Sequence, residues 1–154
     1  MPDSYYAAAC QTDFPCPATR SEIAERTSRM CSLAEQTIVG YEPFHDVRLL
    51  AFPEFAHAAP IYDSVKKLRD RLAVPLPNEH TDRYQRICRN YGCYIQTGTF
   101  LEADPDFPDV VFNTTVLVGP NGPGVVVSTA GWRPSQAPAK ACRSASCQVS
   151  ALAT

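Results

Sequence analysis

Two hydrophobic periods divide this chain. From Val47 to Phe52 every residue but Arg48 is apolar, the pattern of a strand covered on both faces. Pro53 ends that strand and fixes the backbone, so Glu54 stands at its end. Tyr5 to Cys10 reads as an earlier strand of small residues, followed by a loop through Cys16 and Pro17. Between the two strands, Ile23, Thr27, Met30, Leu33, Ala34 and Ile38 recur at helical spacing behind a Thr19-Arg20-Ser21-Glu22 capping box. Gly40 is expected to close that helix in the left-handed conformation.

After Pro53 a loop of small residues, Ala56 to Pro60, leads to a helix with Val65, Leu68 and Leu72 on one side, interrupted by Pro75 and Pro77. A further helix from about Glu79 to Tyr91 places Tyr84, Ile87, Cys88 and Tyr91 on one face, and Gly92 stops it. Its other face, with Asp82, Arg83, Arg86 and Arg89, reads as solvated. The segments Cys93–Phe100 and Phe112–Val118 are rich in β-branched and aromatic residues. A polar loop, Ala103 to Asp109, separates them, and the turn Gly119-Pro120-Asn121-Gly122 follows. This order predicts an α/β layered fold with helices covering a sheet.

Past Gly124 the periods fade. Val125-Val126-Val127 can extend as a short strand, and disorder or loose docking is expected from about Ser128. Charge changes in the same place. All 16 acidic residues precede residue 124, whereas three of the 14 basic ones, Arg133, Lys140 and Arg143, follow it. The reading is therefore an N-terminal domain over residues 1–123 and a disordered tail over 124–154.

Composition narrows the function classes. With 154 residues, 45% of them hydrophobic, and a net charge of -2, the chain suits one soluble domain and carries no basic stripe for nucleic acid. No stretch approaches the ~20 apolar residues of a membrane span. Met1 to Tyr6 has no secretory character, so a cytoplasmic product is expected. Cys10, Cys31, Cys88 and Cys93 fall inside predicted helices and strands and read as reduced core residues. His45, His57 and His80 have no metal-ligand spacing, Cys142 and Cys147 lack a second ligand pair, and neither a metal nor a cofactor is expected. The glycine-rich turn lacks the Lys-Ser/Thr ending of a phosphate loop. No Gly-x-Ser-x-Gly elbow occurs. Asn113-Thr114-Thr115 is formally a glycosylation sequon, disfavoured by its strand position.

Glu54 remains the candidate for chemistry. A carboxylate at a strand end is a usual address for catalysis in layered α/β proteins. On the motif alone it reads equally as a partly exposed glutamate that caps the next helix. His57 and Tyr62, just beyond it, read either as site-entrance residues or as ordinary loop and helix residues.

The first strand, the capped helix, Phe52-Pro53-Glu54-Phe55, the Tyr94–Phe100 strand, and Phe112–Val118 before Gly119-Pro120-Asn121-Gly122 together resemble the nitrilase superfamily of carbon–nitrogen hydrolases, from about Tyr5 to Gly122. The resemblance implies an αββα sandwich, here truncated. It also implies a Glu, Lys, Cys set acting on a small-molecule nitrile, amide or N-carbamoyl compound. In that chemistry a carboxylate is the general base, a thiolate forms a thioester, and a lysine stabilises the tetrahedral intermediate. Glu54 matches the base position, and Asn113 matches an Asn-Thr strand motif whose expected job is hydrogen bonding beside the site.

The rest of the family pattern, a strand, an Arg-Lys pair and a strand-borne cysteine, is not legible after the turn. Lys140 has neither an arginine before it nor a strand around it, and Cys142 and Cys147 follow it too closely, so none of the three is given a catalytic role. The tail reads as an out-of-frame, read-through or misspliced extension of the N-terminal half of a longer hydrolase, inactive alone. A sheet lacking its second cover is expected to form homo-oligomers or aggregate. The alternative is a non-catalytic fragment that assembles with family homologues.

Overall fold

A computed structural model describes residues 5–13, 17–132 and 150–151, with side chains described through Gly122. The elements are β1 (Tyr6–Ala9), α1 (Arg20–Tyr41), β2 (Val47–Ala51), α2 (Val65–Arg71), α3 (Glu79–Tyr91), β3 (Tyr94–Glu102), β4 (Val111–Gly119), β5 (Gly122–Trp132) and β6 (Ser150–Ala151). One mixed sheet takes the strands in chain order. β1, β2 and β3 run parallel, joined by the helices. β3, β4, β5 and β6 run antiparallel. Among the described residues, no helix is long and apolar enough to cross a membrane.

Local chemistry sets the helix ends. Thr19 is the N-cap of α1, and the Glu22 carboxylate accepts from the Thr19 amide (3.3 Å). Asn78 caps α3, its side-chain oxygen accepting from the amides of His80 (2.9 Å) and Thr81 (3.2 Å). Gly92 ends α3 in the left-handed conformation. Gly40 departs from expectation: α1 passes through it to Tyr41, and Glu42 closes the helix with right-handed angles. The Ile38 carbonyl is already satisfied by the Glu42 amide, so no left-handed cap is needed.

The core lies between the sheet and α1 and α3. Met30, Ala34 and Ile38 of α1 and Tyr84, Ile87 and Cys88 of α3 pack against Leu50, Ile95, Phe100, Val116 and Val118. Burying a side chain such as Leu50 contributes about 1.5–3 kcal/mol. A second cluster joins Ile23 of α1, Leu68 of α2, Leu72, Leu101 and Val111. The polar face of α3 is exposed at Asp82, Arg86 and Arg89, as expected, and part-buried at Arg83. Arg83 donates to the Ala24 carbonyl (3.1 Å) and the Ser28 hydroxyl (2.8 Å), and Arg89 donates to the Pro120 carbonyl (3.1 Å).

β5 corrects the sequence reading of the chain beyond Val127. It pairs with β4 from Gly119↔Gly122 to Val111↔Trp132, so strand structure passes the expected boundary near residue 123 and includes Ser128 to Trp132. The cause is the hairpin: a two-residue turn, Pro120-Asn121, places the following chain in register against β4 whether or not it alternates. Residues 133–149 and 152–154 of the predicted disordered tail, with Lys140, Cys142 and Cys147, lie outside the described residues.

Candidate functional site at the end of β2

β2 leaves the sheet after the Phe52 amide donates to the Gln96 carbonyl (3.0 Å). The chain then turns at Glu54-Phe55, with Phe55 in left-handed backbone (φ 54°). For a non-glycine residue that conformation costs about 1–2 kcal/mol. Contacts from two other elements, β3 and α1, offset it. The Phe55 amide donates to the Thr99 hydroxyl (2.8 Å). The Ala56 carbonyl accepts from the Arg26 guanidinium (3.0 Å), which reaches down from the buried stripe of α1. Arg26 is held in turn by the Asp13 carboxylate (2.7 Å) and the Asp13 carbonyl. The Arg26 hydrogen bond keeps the Asp13 carboxyl below its usual range.

Gly98 makes room for this turn. It sits at an irregularity in the β3–β4 pairing with φ 74°, and a Cβ there would lie 2.4 Å from the Pro53 carbonyl oxygen and 2.8 Å from the Ala56 Cβ. No side chain fits. The irregularity leaves the Val116 amide to donate to the Thr97 hydroxyl (3.3 Å) instead of to a ladder carbonyl.

Beneath the turn, His57 is fully buried and stacks on Phe100 with ring centroids 3.6 Å apart. Its Nδ1 faces the Thr99 carbonyl (3.3 Å), which only accepts, so the proton resides on Nδ1 and Nε2 accepts from the Tyr84 hydroxyl (3.1 Å). Burial pushes the His57 pKa down to about 3, keeping the ring neutral, and pushes the Tyr84 phenol well above its usual value. His57 is thus a core support, not a residue at the site entrance. Tyr62 lies apart, donating to the Ala18 carbonyl (2.8 Å).

Glu54 itself is exposed. It does not cap the following helix, whose N-cap is Ser64. Its Oε1 accepts from the Asn113 amide nitrogen at 2.8 Å, across 59 residues of sequence. Asn113 is buried in β4, opposite Leu101 of β3. The geometry therefore joins the two residues that the sequence motifs singled out. The neutral amide donor holds one oxygen of the carboxylate and fixes its orientation.

Sequence reasoning missed Arg26, Gly98 and Thr99. Two signals were present: a cation between Ile23 and Met30 on an apolar stripe, and a glycine inside a β-branched strand, which marks close backbone approach.

A parallel-then-antiparallel sheet with α1 and α3 against one face defines the class, and solved structures place it. N-terminal amidase solved with an Asn-Glu-Ala peptide superposes with a TM-score of 0.57 at 15% identity, over 81% of this chain and 26% of that one. Nit3 of Saccharomyces cerevisiae, a member of branch 10 of the nitrilase superfamily, gives 0.53 at 16% identity, over 77% and 41%. C. elegans NitFhit gives 0.52 at 14%, over 82% and 27%. The chain has the nitrilase-superfamily fold over the part that superposes, and it spans between a quarter and two-fifths of the length of these proteins. No protein-family model and no curated protein matches its sequence.

Proposed function

We propose that this chain carries the general-base part of a carbon–nitrogen hydrolase site, with Glu54 as the base and Asn113 as the residue that orients it. The observation that carries the reading is the Asn113–Glu54 hydrogen bond at the point where β2 leaves the sheet. The fold shared with N-terminal amidase and Nit3 supports it. Substrates of the class are nitriles, amides and N-carbamoyl compounds. Lys140, Cys142 and Cys147 lack the sequence setting of the lysine and nucleophile, so the polypeptide alone is expected to release no ammonia above background.

The test is an ammonia-release screen of the full chain with simple amides, N-carbamoyl amino acids, nitriles, and peptides beginning with Asn or Gln, the last because N-terminal amidase was solved with Asn-Glu-Ala and Gln-Val peptides. Turnover that disappears in Glu54→Gln supports the base and overturns the expected inactivity. Turnover unchanged in Glu54→Gln overturns the base. Sequencing transcript and genomic DNA from the Asn113 codon onward tests the tail: another frame that encodes an Arg-Lys pair and a strand-borne cysteine supports the extension reading.

The second reading is a non-catalytic partner of intact homologues, favoured by the partly exposed apolar residues on the sheet face away from α1 and α3. Co-expression with an intact family member tests it, and failure to co-purify counts against it.

A further inference from the structure

β1 is the first strand of the sheet, so one of its edges has no neighbouring strand among the described residues. The Tyr6 amide donates to the Asp46 carbonyl (3.4 Å) and the Cys10 amide to the Ala51 carbonyl (2.8 Å). Backbone groups alternate sides along a strand, so Ala8 also faces β2, whereas the N–H and C=O of Ala7 and Ala9 point outward. The irregularity in the β1–β2 register adds Arg48 to β2 and leaves this alternation intact in β1. Edge strands are commonly guarded by a charge or a proline, which discourages pairing. Neither occurs from Tyr5 to Thr12.

An open groove of about 480 Å3 runs beside the strand on the helix side. Leu33, Thr37 and Tyr41 of α1 line it, together with Cys10 and with Tyr6, whose ring stacks on His45 at a centroid distance of 4.0 Å. Tyr6 is 49% exposed and Tyr41 53%.

We propose that this edge is the contact surface for a second copy of the chain, the two β1 strands pairing antiparallel about a two-fold axis through Ala8. The spacing selects that partner. In an antiparallel ladder, opposed residues whose N–H and C=O point across exchange both bonds. With Ala8 opposite its own copy, Ala7 falls opposite Ala9 of the second copy and Ala9 opposite its Ala7, so every outward group of these residues meets its complement. The same patch then serves both copies, as a closed two-fold contact requires. Only methyl groups meet at the axis, and the paired strands set no charge against its like. Strand pairing alone is small against the about 800 Å2 that a stable interface takes from each partner. The groove adds to it: Tyr6 of the second copy stands opposite Cys10 on the helix side and brings its ring against the apolar flank of α1. This edge is separate from the open sheet face around Tyr94 and Leu117, and the pairing is independent of any hydrolase chemistry.

Sedimentation of the full chain over a range of concentrations tests the pairing, with a shift from 16.9 kDa to twice that mass expected. Amide exchange locates it: the Ala7 and Ala9 amides are expected to be protected in the dimer and to lose that protection on dilution before the Cys10 amide does. Both alanines are exposed, so charged side chains there leave the β1–β2 ladder in place. The double variant Ala7→Lys with Ala9→Lys sets lysine against lysine across the axis and is expected to lose the dimer, as is Ala7→Glu with Ala9→Glu. Mixing the two variants is expected to restore the dimer mass, a result that misfolding cannot produce. A monomer at every concentration, association left unchanged by the lysine variant, or failure of the two variants to combine overturns the proposal. A monomer whose Ala7 and Ala9 amides are protected also overturns it, because another part of the same chain then holds the edge.

Discussion

The two faces of the sheet differ more than their sequences do. On the helix side, Leu50, Ile95 and Val118 are completely buried. On the other, Tyr94 is 50% exposed, and Leu49 and Leu117 are half-buried around the open hollow. Leu49 and Leu50 are chemically identical neighbours in one strand. The difference teaches that an apolar run records where cover is intended, and that the helices alone supply it for one face only.

The sharpest way to break this comparison is the Leu pair. Leu50→Ala is expected to cost about 3–4 kcal/mol and Leu49→Ala about 1 kcal/mol in urea unfolding. Equal losses would mean that both faces are covered in solution. The glycines extend the same contrast to backbone. Gly98→Ala is expected to cost about 3 kcal/mol, because its Cβ meets the Pro53 carbonyl. Gly40→Ala, with nothing within 4 Å and a helical backbone, is expected to add about 0.5–1 kcal/mol. Thermal melts that rank these two in the opposite order refute the turn's tight seating.

A third test uses pH. His57 is neutral in the fold, with its pKa depressed from 6.5 to about 3. Its contribution is therefore fully present above pH 6.5 and is lost as pH falls toward about 3, because only the unfolded chain takes up the proton in that window. The expected loss between pH 7 and pH 5 is about 2 kcal/mol. His57→Gln should flatten that slope; an unchanged slope would show that the ring is not buried neutral. The smallest expected effect lies on the open face. Tyr94→Ser with Leu117→Ser should cost about 1 kcal/mol, as Leu49→Ala does, and reduce any self-association in sedimentation, and identical sedimentation would remove that face from the account of assembly.

Legibility followed locality. The capping box at Thr19, the stop at Gly92 and the turn at Pro120-Asn121 were readable because each depends on a few adjacent residues. Glu54 and Asn113 were readable separately, yet their bond spans 59 residues and follows from sheet register, which no local pattern encodes. The Arg26 contact beneath the turn was hidden for the same reason, since a charge on an apolar stripe announces a buried partner without naming it. β5 was underestimated because pairing with β4 overrides weak alternation.

The order of strands also sets a folding sequence. β3, β4 and β5 form an antiparallel meander whose β4–β5 turn is only two residues long. Such hairpins close on the microsecond scale. β1 and β2 pair in parallel and must wait for the intervening α1 to form and dock. Contacts of greater sequence separation form more slowly. On a growing chain the order of synthesis opposes the order of closure: the strand that delivers Glu54 emerges early but gains its neighbour β3 and its Asn113 anchor only after the meander has been made. The Glu54–Asn113 bond closes only once the parallel half of the sheet has met the meander, and its seating reports that the two have joined.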